Sequence, residues 1–196
     1  AAFHTPTFYS LNDEFDTYME GRVDPEEELG GLYTASSGIN AYSYRLRTPS
    51  KFVGNAVLTL GKIGMISFDY EYVNYASADL DASDYNFIEE NTTIEDIYDV
   101  AHNLRVGGEL RFGPTYLRGG YAFYGSPFKT EEPGVNSNRR IFSGGIGVRS
   151  KSVFFDISYS RAIDEQSYYL YIPPVSEPAT LNSNQNSVQM TLGFRF

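Results

Sequence analysis

The strict alternation of apolar and polar residues near the end of the chain constrains the fold more than any other feature. In 187–196, apolar side chains occupy every second position from Val188 to Phe196, and polar or small residues occupy the positions between them. Successive side chains of a β-strand point to opposite faces of the sheet, so this segment is expected to form a strand with one apolar and one polar face. The same period recurs in 66–73, 103–112, 117–124, 142–149 and 153–160.

The connections between these segments fall into two length classes that alternate along the chain. Short turns rich in Gly, Pro and Ser are expected at 61–64, 113–115 and 150–152, and long loops at 19–40, 76–101, 125–138 and 162–186. This alternation requires 41–60 to be a single strand bent at Thr48-Pro49, because proline interrupts a strand ladder. The sequence therefore predicts about eight strands, at 1–18, 41–60, 65–76, 102–112, 116–124, 139–150, 153–163 and 184–196.

This pattern favours an all-β fold, an antiparallel up-and-down transmembrane β-barrel that occupies 1–196 as a single domain. Short turns on one side and long loops on the other are typical of outer-membrane barrels. Four loop segments, 19–30, 76–101, 125–138 and 162–186, contain 18 of the 25 acidic residues, and the remaining positions carry a net charge of +6. The alternative is a soluble β-sandwich or a lipocalin-like barrel, in which the apolar face points inward. Small residues and both charge signs on the polar face, together with the unequal connections, favour the membrane arrangement.

Composition excludes several classes of protein. A net charge of −10 argues against nucleic-acid binding, which requires a basic surface. The chain has no cysteine, which excludes disulfides, thiolate metal sites and cysteine nucleophiles, and it has no apolar run long enough for a transmembrane helix. Neither His4 nor His102 has a serine at a spacing that indicates nucleophilic catalysis, so we expect neither an enzyme nor a cofactor.

Charged residues of both signs lie on the polar face of neighbouring strands. We expect cross-strand pairs between Glu71 and Arg105, between Glu109 and Arg118, and between Arg149 and Asp156. Inside a barrel such a network has a structural role or acts as a filter or gate for a polar head group. The predicted lumen residues are Asp69, Glu71, Arg105, Glu109, Arg118, Arg149, Asp156 and Arg195.

Three loops contain further candidate residues. The acidic segment with Asp79, Asp81 and Glu90 has the spacing of a calcium loop, but Asp84 occupies the position at which a sharp turn requires glycine. A solvated acidic loop is therefore the main interpretation, and a weak divalent-cation site is the alternative. Aromatic residues in the last two long loops either contact a hydrophobic ligand, cap the barrel or form an interfacial girdle. The ligand-contact candidates are Phe128, Tyr168, Tyr169 and Tyr171.

The chain resembles the FadL/TodX family of outer-membrane long-chain fatty-acid transporters, with the character of its Bacteroidetes members. The resemblance rests on the hairpin 102–123 followed by Ser126-Pro127, the segments 140–145 and 155–159, the bent strand 46–49 and the segment 69–72. The final Phe196, preceded by alternating apolar residues, looks like the signal read by the barrel-assembly machinery. That last feature is shared by most outer-membrane barrels.

The resemblance implies passive transport of long-chain fatty acids or similar hydrophobic compounds across the outer membrane of a Gram-negative bacterium. Members of the family have fourteen strands and an N-terminal hatch, and this chain matches only the last eight strands. We therefore expect either the C-terminal part of a transporter, with the missing N-terminal part of its own chain as partner, or a short relative. The partners implied are outer-membrane lipid and a hydrophobic small molecule. A small structural or adhesive barrel, or a secretion-system scaffold that binds a partner through acidic loops, is the alternative.

Overall fold

The chain is an all-β protein built from antiparallel sheets. The computed structural model describes residues 1–23, 31–129, 137–168 and 179–194. Within these ranges the strands are β1 (Ala2–His4), β2 (Phe8–Phe15), β3 (Tyr18–Val23), β4 (Gly31–Ser36), β5 (Asn40–Arg47), β6 (Lys51–Leu60), β7 (Gly64–Asn74), β8 (Asp79–Asp81), β9 (Val100–Phe112), β10 (Thr115–Tyr124), β11 (Arg139–Arg149), β12 (Val153–Tyr168) and β13 (Ala179–Phe194). The other elements are a 3-10 helix at Tyr75–Ser77 and the helix α1 at Ile88–Ile97.

Eight strands form one sheet in the order β1-β6-β7-β9-β10-β11-β12-β13, and every pair in it is antiparallel. The number of strands in this sheet agrees with the sequence analysis. The sheet is not closed in the described residues, so β1 and β13 are its edges. Its order follows the order of its strands along the chain, as expected for an up-and-down arrangement.

The connections of this sheet alternate between its two ends, as predicted. Tight turns join β6 to β7, β9 to β10 and β11 to β12, whereas the other connections are longer and lie at the opposite end. We call these the short-turn end and the long-connection end. The prediction of a long loop at 162–186 is wrong in extent, because β12 and β13 stay paired from Val153–Phe194 as far as Tyr168–Ala179. Backbone hydrogen bonds hold this extension, and it needs no apolar face.

The first hairpin bends twice, so the predicted strand 1–18 is three strands and the predicted loop 19–40 contains β3 and β4. The bend expected at Thr48-Pro49 is confirmed, since β5 ends at Arg47 and β6 begins at Lys51. At that bend the Thr48 amide donates to the Thr7 carbonyl, and the Thr7 amide donates to Thr48 Oγ1, each at 2.9 Å. Ser37 and Thr17 make the same two hydrogen bonds at the second bend, at 2.9 and 3.0 Å.

The bends separate two smaller sheets from the eight-stranded one. Strands β2, β5 and β8 form a sheet that we call the outer sheet, and β3 pairs with β4. The predicted loop 76–101 contains β8 and α1, which the sequence analysis did not predict. Asn91 fixes α1 to β8, because its side chain accepts from the Leu80 amide at 2.8 Å and donates to the Leu80 carbonyl at 2.9 Å.

The apolar face of the eight-stranded sheet is exposed, and its polar face is the less exposed one. Val188, Met190 and Leu192 on β13 are 61–67% exposed, whereas Glu109 on the polar face is 7% exposed. Among the described hydrophobic residues only Val73, Ala101 and Ala162 are buried. In its described residues the sheet therefore lacks the packed apolar layer that two sheets share in a β-sandwich. No helix in the described part of the chain has the length and apolar character that crossing a membrane requires.

Candidate functional site

The polar face of the eight-stranded sheet surrounds a groove of about 610 Å³. Residues from β7, β9, β10, β11, β12 and β13 all line it. Six adjacent strands of a flat sheet would span roughly 24 Å, because neighbouring strands lie about 4.8 Å apart. One groove can touch all six only if the sheet curves toward its polar face. The groove therefore lies on the inside of a curved wall.

A four-residue ion-pair cluster lies at the short-turn end of the groove. Arg118 Nε donates to Glu109 Oε2 at 2.8 Å, and Arg118 Nη1 donates to Asp156 Oδ1 at 2.6 Å. Glu109 also accepts from Arg111 Nε at 2.7 Å. The register places Glu109 directly opposite Arg118, as the predicted pairing required. Charge-assisted hydrogen bonds of this kind fix the orientation of a guanidinium group.

Arg118 reaches Asp156 across an intervening strand, and Gly147 provides the space. Asp156 on β12 lies opposite Gly147 on β11, and β11 separates β12 from β10, which carries Arg118. A Cβ atom added at Gly147 would overlap Asp156 Oδ1 and would lie 3.1 Å from Asp156 Cγ. Glycine at this position is thus a condition for the ion pair.

The predicted pair between Arg149 and Asp156 is wrong, because Asp156 pairs with Arg118. The guanidinium of Arg149 instead lies 4.6 Å from the centre of the Tyr116 ring. Arg111 and Arg118 lie 5.6 and 5.8 Å from the same ring. Arg149 Nε is buried and has no hydrogen-bond partner in the described part of the chain. Three arginines therefore converge on one aromatic ring, an arrangement that cation–π attraction favours.

A second polar cluster lies nearer the long-connection end. Glu71 accepts a hydrogen bond from Asn103 Nδ2 at 2.8 Å and forms ion pairs with Arg105 at 3.9 Å and Lys51 at 3.8 Å. Arg105 Nε donates to the Tyr124 hydroxyl at 3.2 Å. The predicted pair of Glu71 and Arg105 is confirmed. Asp69 lies opposite Arg105 in the register, and Arg195 lies outside the described residues.

Small residues separate the two clusters on the polar face. Ser67 Oγ donates to the Gly107 carbonyl at 3.5 Å, and Ser143 Oγ donates to the Gly120 carbonyl at 3.3 Å. Each serine packs over its glycine so closely that an added Cβ would lie within 3.0 Å of the hydroxyl oxygen. The part of the groove between the two clusters is therefore lined by serine hydroxyls and glycines, and the described charged residues that line the groove are Glu109, Arg118 and Asp156.

A second groove, of about 440 Å³, lies on one face of the outer sheet. Aromatic rings from three segments line it: Phe15 on β2, Tyr42 and Tyr44 on β5, and Tyr85 and Phe87 after β8. Phe15 stacks on Tyr42 with a centroid distance of 5.6 Å, and Phe87 contacts Tyr44 and Tyr85 at 5.7 and 4.8 Å. We call this the aromatic groove.

Carboxylates engage two of the hydroxyl groups at this groove. Tyr44 donates to Asp13 Oδ2 at 2.7 Å, and Tyr85 donates to Glu90 Oε1 at 2.8 Å. The hydrogen bond to Asp13 raises the pKa of Tyr44, and the hydrogen bond to Glu90 raises the pKa of Tyr85. Both phenols therefore keep their protons at neutral pH and direct them at protein carboxylates.

The loop residues predicted to contact ligand do not line the aromatic groove in the described part of the chain. Phe128 stacks on Tyr98 at 5.1 Å, in a backbone bridge that joins the 125–129 segment to the end of α1. Tyr168 is the last residue of β12, and its side chain lies outside the described part. Tyr169, Tyr171 and the predicted assembly signal Phe196 also lie outside it.

The carboxylates of the predicted cation site do not converge. Asp81 forms an ion pair with Arg45, and Asp79 lies 3.8 Å from Arg47. Glu90 is on α1 and accepts from Tyr85. Within the described ranges no three acidic or histidine side chains are grouped as a metal site.

Sequence analysis missed three kinds of residue at these sites. Tyr116 and Tyr124 have the same parity as Arg118 on β10, so the period of two alone could have placed them on the polar face. The role of Gly147 depends on the register of β11 against β12, which the sequence does not fix. The aromatic groove joins residues far apart in the chain, and no local pattern marks it.

Comparison with known proteins places the chain in no family. No protein-family model matches the sequence, and no curated protein matches it at a significant level of similarity. The case for function therefore rests on the two faces of the sheet and the two grooves.

Proposed function

We propose that the eight-stranded sheet is the wall of an outer-membrane β-barrel, with its apolar face against lipid and its polar face toward a lumen that passes hydrophobic small molecules. The observation that carries the proposal is the reversed polarity of the sheet, in which apolar side chains are exposed and ionised ones are less exposed. Contiguous apolar surface beyond a few hundred Å² marks contact with a membrane or a partner. A lipid bilayer covers such a surface on every strand at once.

The edges of the sheet have the directions that a barrel requires. The strand β1 runs toward the long-connection end and β13 runs toward the short-turn end, so an antiparallel ladder can join the two edges. Unpaired backbone groups are costly in the bilayer core, where no water replaces the missing partner. Because β1 has 3 residues and β13 has 16, closure along all of β13 needs a longer ascending strand than β1.

The exposed apolar band on this face ends at a defined border on the side of the long-connection end. On β12, Phe155 and Tyr159 belong to the apolar face, whereas the next residue on that face is Arg161, which donates to Asn184. The Tyr159 hydroxyl donates to Asn186 at 2.7 Å. A tyrosine whose ring is apolar and whose hydroxyl meets polar groups suits the boundary between hydrocarbon and head groups.

Passive transport is the activity that we propose for this wall. The resemblance to fatty-acid transporters suggests long-chain fatty acids or similar hydrophobic compounds as cargo, moved without nucleotide or metal. The groove on the polar face would give them a path, and Arg118, which lines it, would contact a polar head group. In this arrangement the aromatic groove lies outside the membrane, beyond the long-connection end of the sheet.

Refolding of the full chain in detergent tests the barrel wall directly. A folded barrel resists dodecyl sulfate at room temperature, so unboiled and boiled samples are expected to migrate differently on a gel. Transport is tested with the same material by crosslinking a photoreactive amphiphile and mapping the labelled peptide. Label on β9, β10 or β12 supports passage through the groove. A stoichiometric protein partner without label would instead favour the scaffold alternative, and no mobility shift would count against unaided closure.

A further inference from the structure

The aromatic groove combines electron-rich rings with negative charge. Five aromatic side chains line it, and the charged groups beside them are Asp13 and Asp84. Among the described lining residues there is no lysine or arginine. The face of an aromatic ring attracts a cation that lies within about 6 Å of its centre. The rings and the carboxylates at this site therefore both favour a positively charged ligand.

The arginines of the outer sheet, Arg45 and Arg47, belong to its opposite face. In the ladder between β2 and β5, Tyr42 and Tyr44 alternate with Arg45 and Arg47, so the arginines point away from the groove. Arg45 is paired with Asp81 and Arg47 with Asp79. Their charges are thus matched by carboxylates on their own face.

Two of the three tyrosine hydroxyls at the groove, those of Tyr44 and Tyr85, are also occupied. The Tyr44 and Tyr85 hydroxyl protons are directed at Asp13 and Glu90, which leaves neither of them for the carboxylate of a ligand. Asp13 binds Tyr44 through Oδ2, so its Oδ1 can still face a positive group. A fatty-acid anion entering this groove would meet two negative charges and lose its hydration without replacement from these phenols.

We infer that the aromatic groove binds amphiphilic organic cations, such as alkyl or aryl ammonium compounds, in preference to fatty-acid anions. The inference rests on the proposed function only in placing the groove outside the membrane, and it narrows the cargo of that function. The groove supplies the rings for the hydrocarbon or aryl part and the carboxylates for the ammonium group.

Three small probes of similar size test the inference: benzyltrimethylammonium, benzyl alcohol and phenylacetate. Each is titrated into the full chain refolded in a nonionic maltoside detergent, and binding is followed by ligand-observed NMR against a detergent-only blank. An exposed charge pair and a cation–π contact each favour the cation by a factor of up to about five. We therefore expect the cation to bind about ten-fold more tightly than the anion, with binding that weakens as salt is added.

Two variants with the same change in net charge locate the site. Asp13→Asn keeps an oxygen that can accept from Tyr44 and removes the charge, and it should weaken cation binding about three-fold. Glu14→Gln alters the neighbouring residue on the opposite face and should leave binding unchanged. Equal affinity for phenylacetate, absent cation binding, or equal effects of the two variants would overturn the inference. The gel mobility shift tests the barrel proposal independently of ligand binding, so either proposal can fail while the other holds.

Discussion

Substitution of Gly147 by alanine should destabilise the folded protein, because the added methyl group displaces the side chain of Asp156. The added Cβ would overlap Asp156 Oδ1 and would lie 3.6 Å from Arg118 Nη1, so Asp156 must leave its present position. That movement breaks the 2.6 Å ion pair with Arg118, whose side chain is 35% exposed while that of Asp156 is 19% exposed. The cost thus falls on a partly shielded pair.

The magnitude follows from two opposing effects. A hydrogen bond between charged groups contributes about 1.5–3 kcal/mol, and the partial exposure of this pair places it toward the lower end. Replacing glycine by alanine in extended backbone restricts the unfolded chain. This effect alone stabilises the folded protein by about 0.4–1 kcal/mol. We expect Gly147→Ala to lower the free energy of unfolding by about 1 kcal/mol, measured by urea titration of the refolded protein and by gel mobility against temperature.

Gly144→Ala is the matched control, because it lies on the same strand with its added Cβ 3.9 Å from the nearest described atom, the Arg118 carbonyl oxygen. This control is expected to be neutral or slightly stabilising. In an Asp156→Ala background the cost of Gly147→Ala should disappear, as a double-mutant cycle requires. Equal stability of Gly147→Ala and Gly144→Ala, or a cost that persists without Asp156, would refute the reasoning.

Three further predictions concern other parts of the molecule. Arg118→Lys should cost about 1–2 kcal/mol in urea titrations, since one ammonium group cannot reproduce two directed contacts to separate carboxylates, and wild-type stability would contradict this. The raised pKa of Tyr44 means that its hydrogen bond to Asp13 is intact below the ordinary tyrosine pKa near 10 and is lost as the pH rises through the folded value. Absorbance titration of Asp13→Ala, which removes the hydrogen-bond acceptor, against wild type should show one tyrosine ionising at lower pH, and superimposable curves would exclude the shift. Thr48→Val should increase hydrogen exchange at the Thr7 amide several-fold and cost about 0.5–1.5 kcal/mol, whereas unchanged exchange would show that the bend does not depend on this hydroxyl.

The sequence predicted those features that depend on local parity. The alternation in β9 and β10 was enough to place Glu109 opposite Arg118, and the proline at position 49 was enough to locate a bend. The parts of β12 and β13 nearest the long-connection end could not be predicted. Polar residues occupy both of their faces there, and the pairing is held by backbone hydrogen bonds. A strand in which neither face is apolar shows no alternation of apolar and polar residues, so its sequence does not indicate a strand.

The candidate sites likewise contain some contacts that could be predicted from the sequence and others that could not. The pairs within adjacent strands were predictable, but the contact of Arg118 with Asp156 spans two strand spacings and exists because Gly147 lies between them. The aromatic groove depends on the pairing of β5 with β2 along one edge and with β8 along the other. Such long-range packing is set by the whole fold and leaves no periodic trace in the chain.

Cysteine scanning along β13 tests most directly which face of the sheet contacts lipid. The chain has no cysteine, so single substitutions at successive positions from 187 to 194 report without background. In liposomes, free cysteines at positions 188, 190 and 192 should be protected from a charged thiol reagent, and fluorophores attached to them in separate samples should be quenched by nitroxide lipids. Free cysteines at positions 189 and 191 should react with the reagent, and fluorophores attached there should escape quenching. The opposite alternation, or uniform reactivity along the strand, would contradict the membrane-wall account.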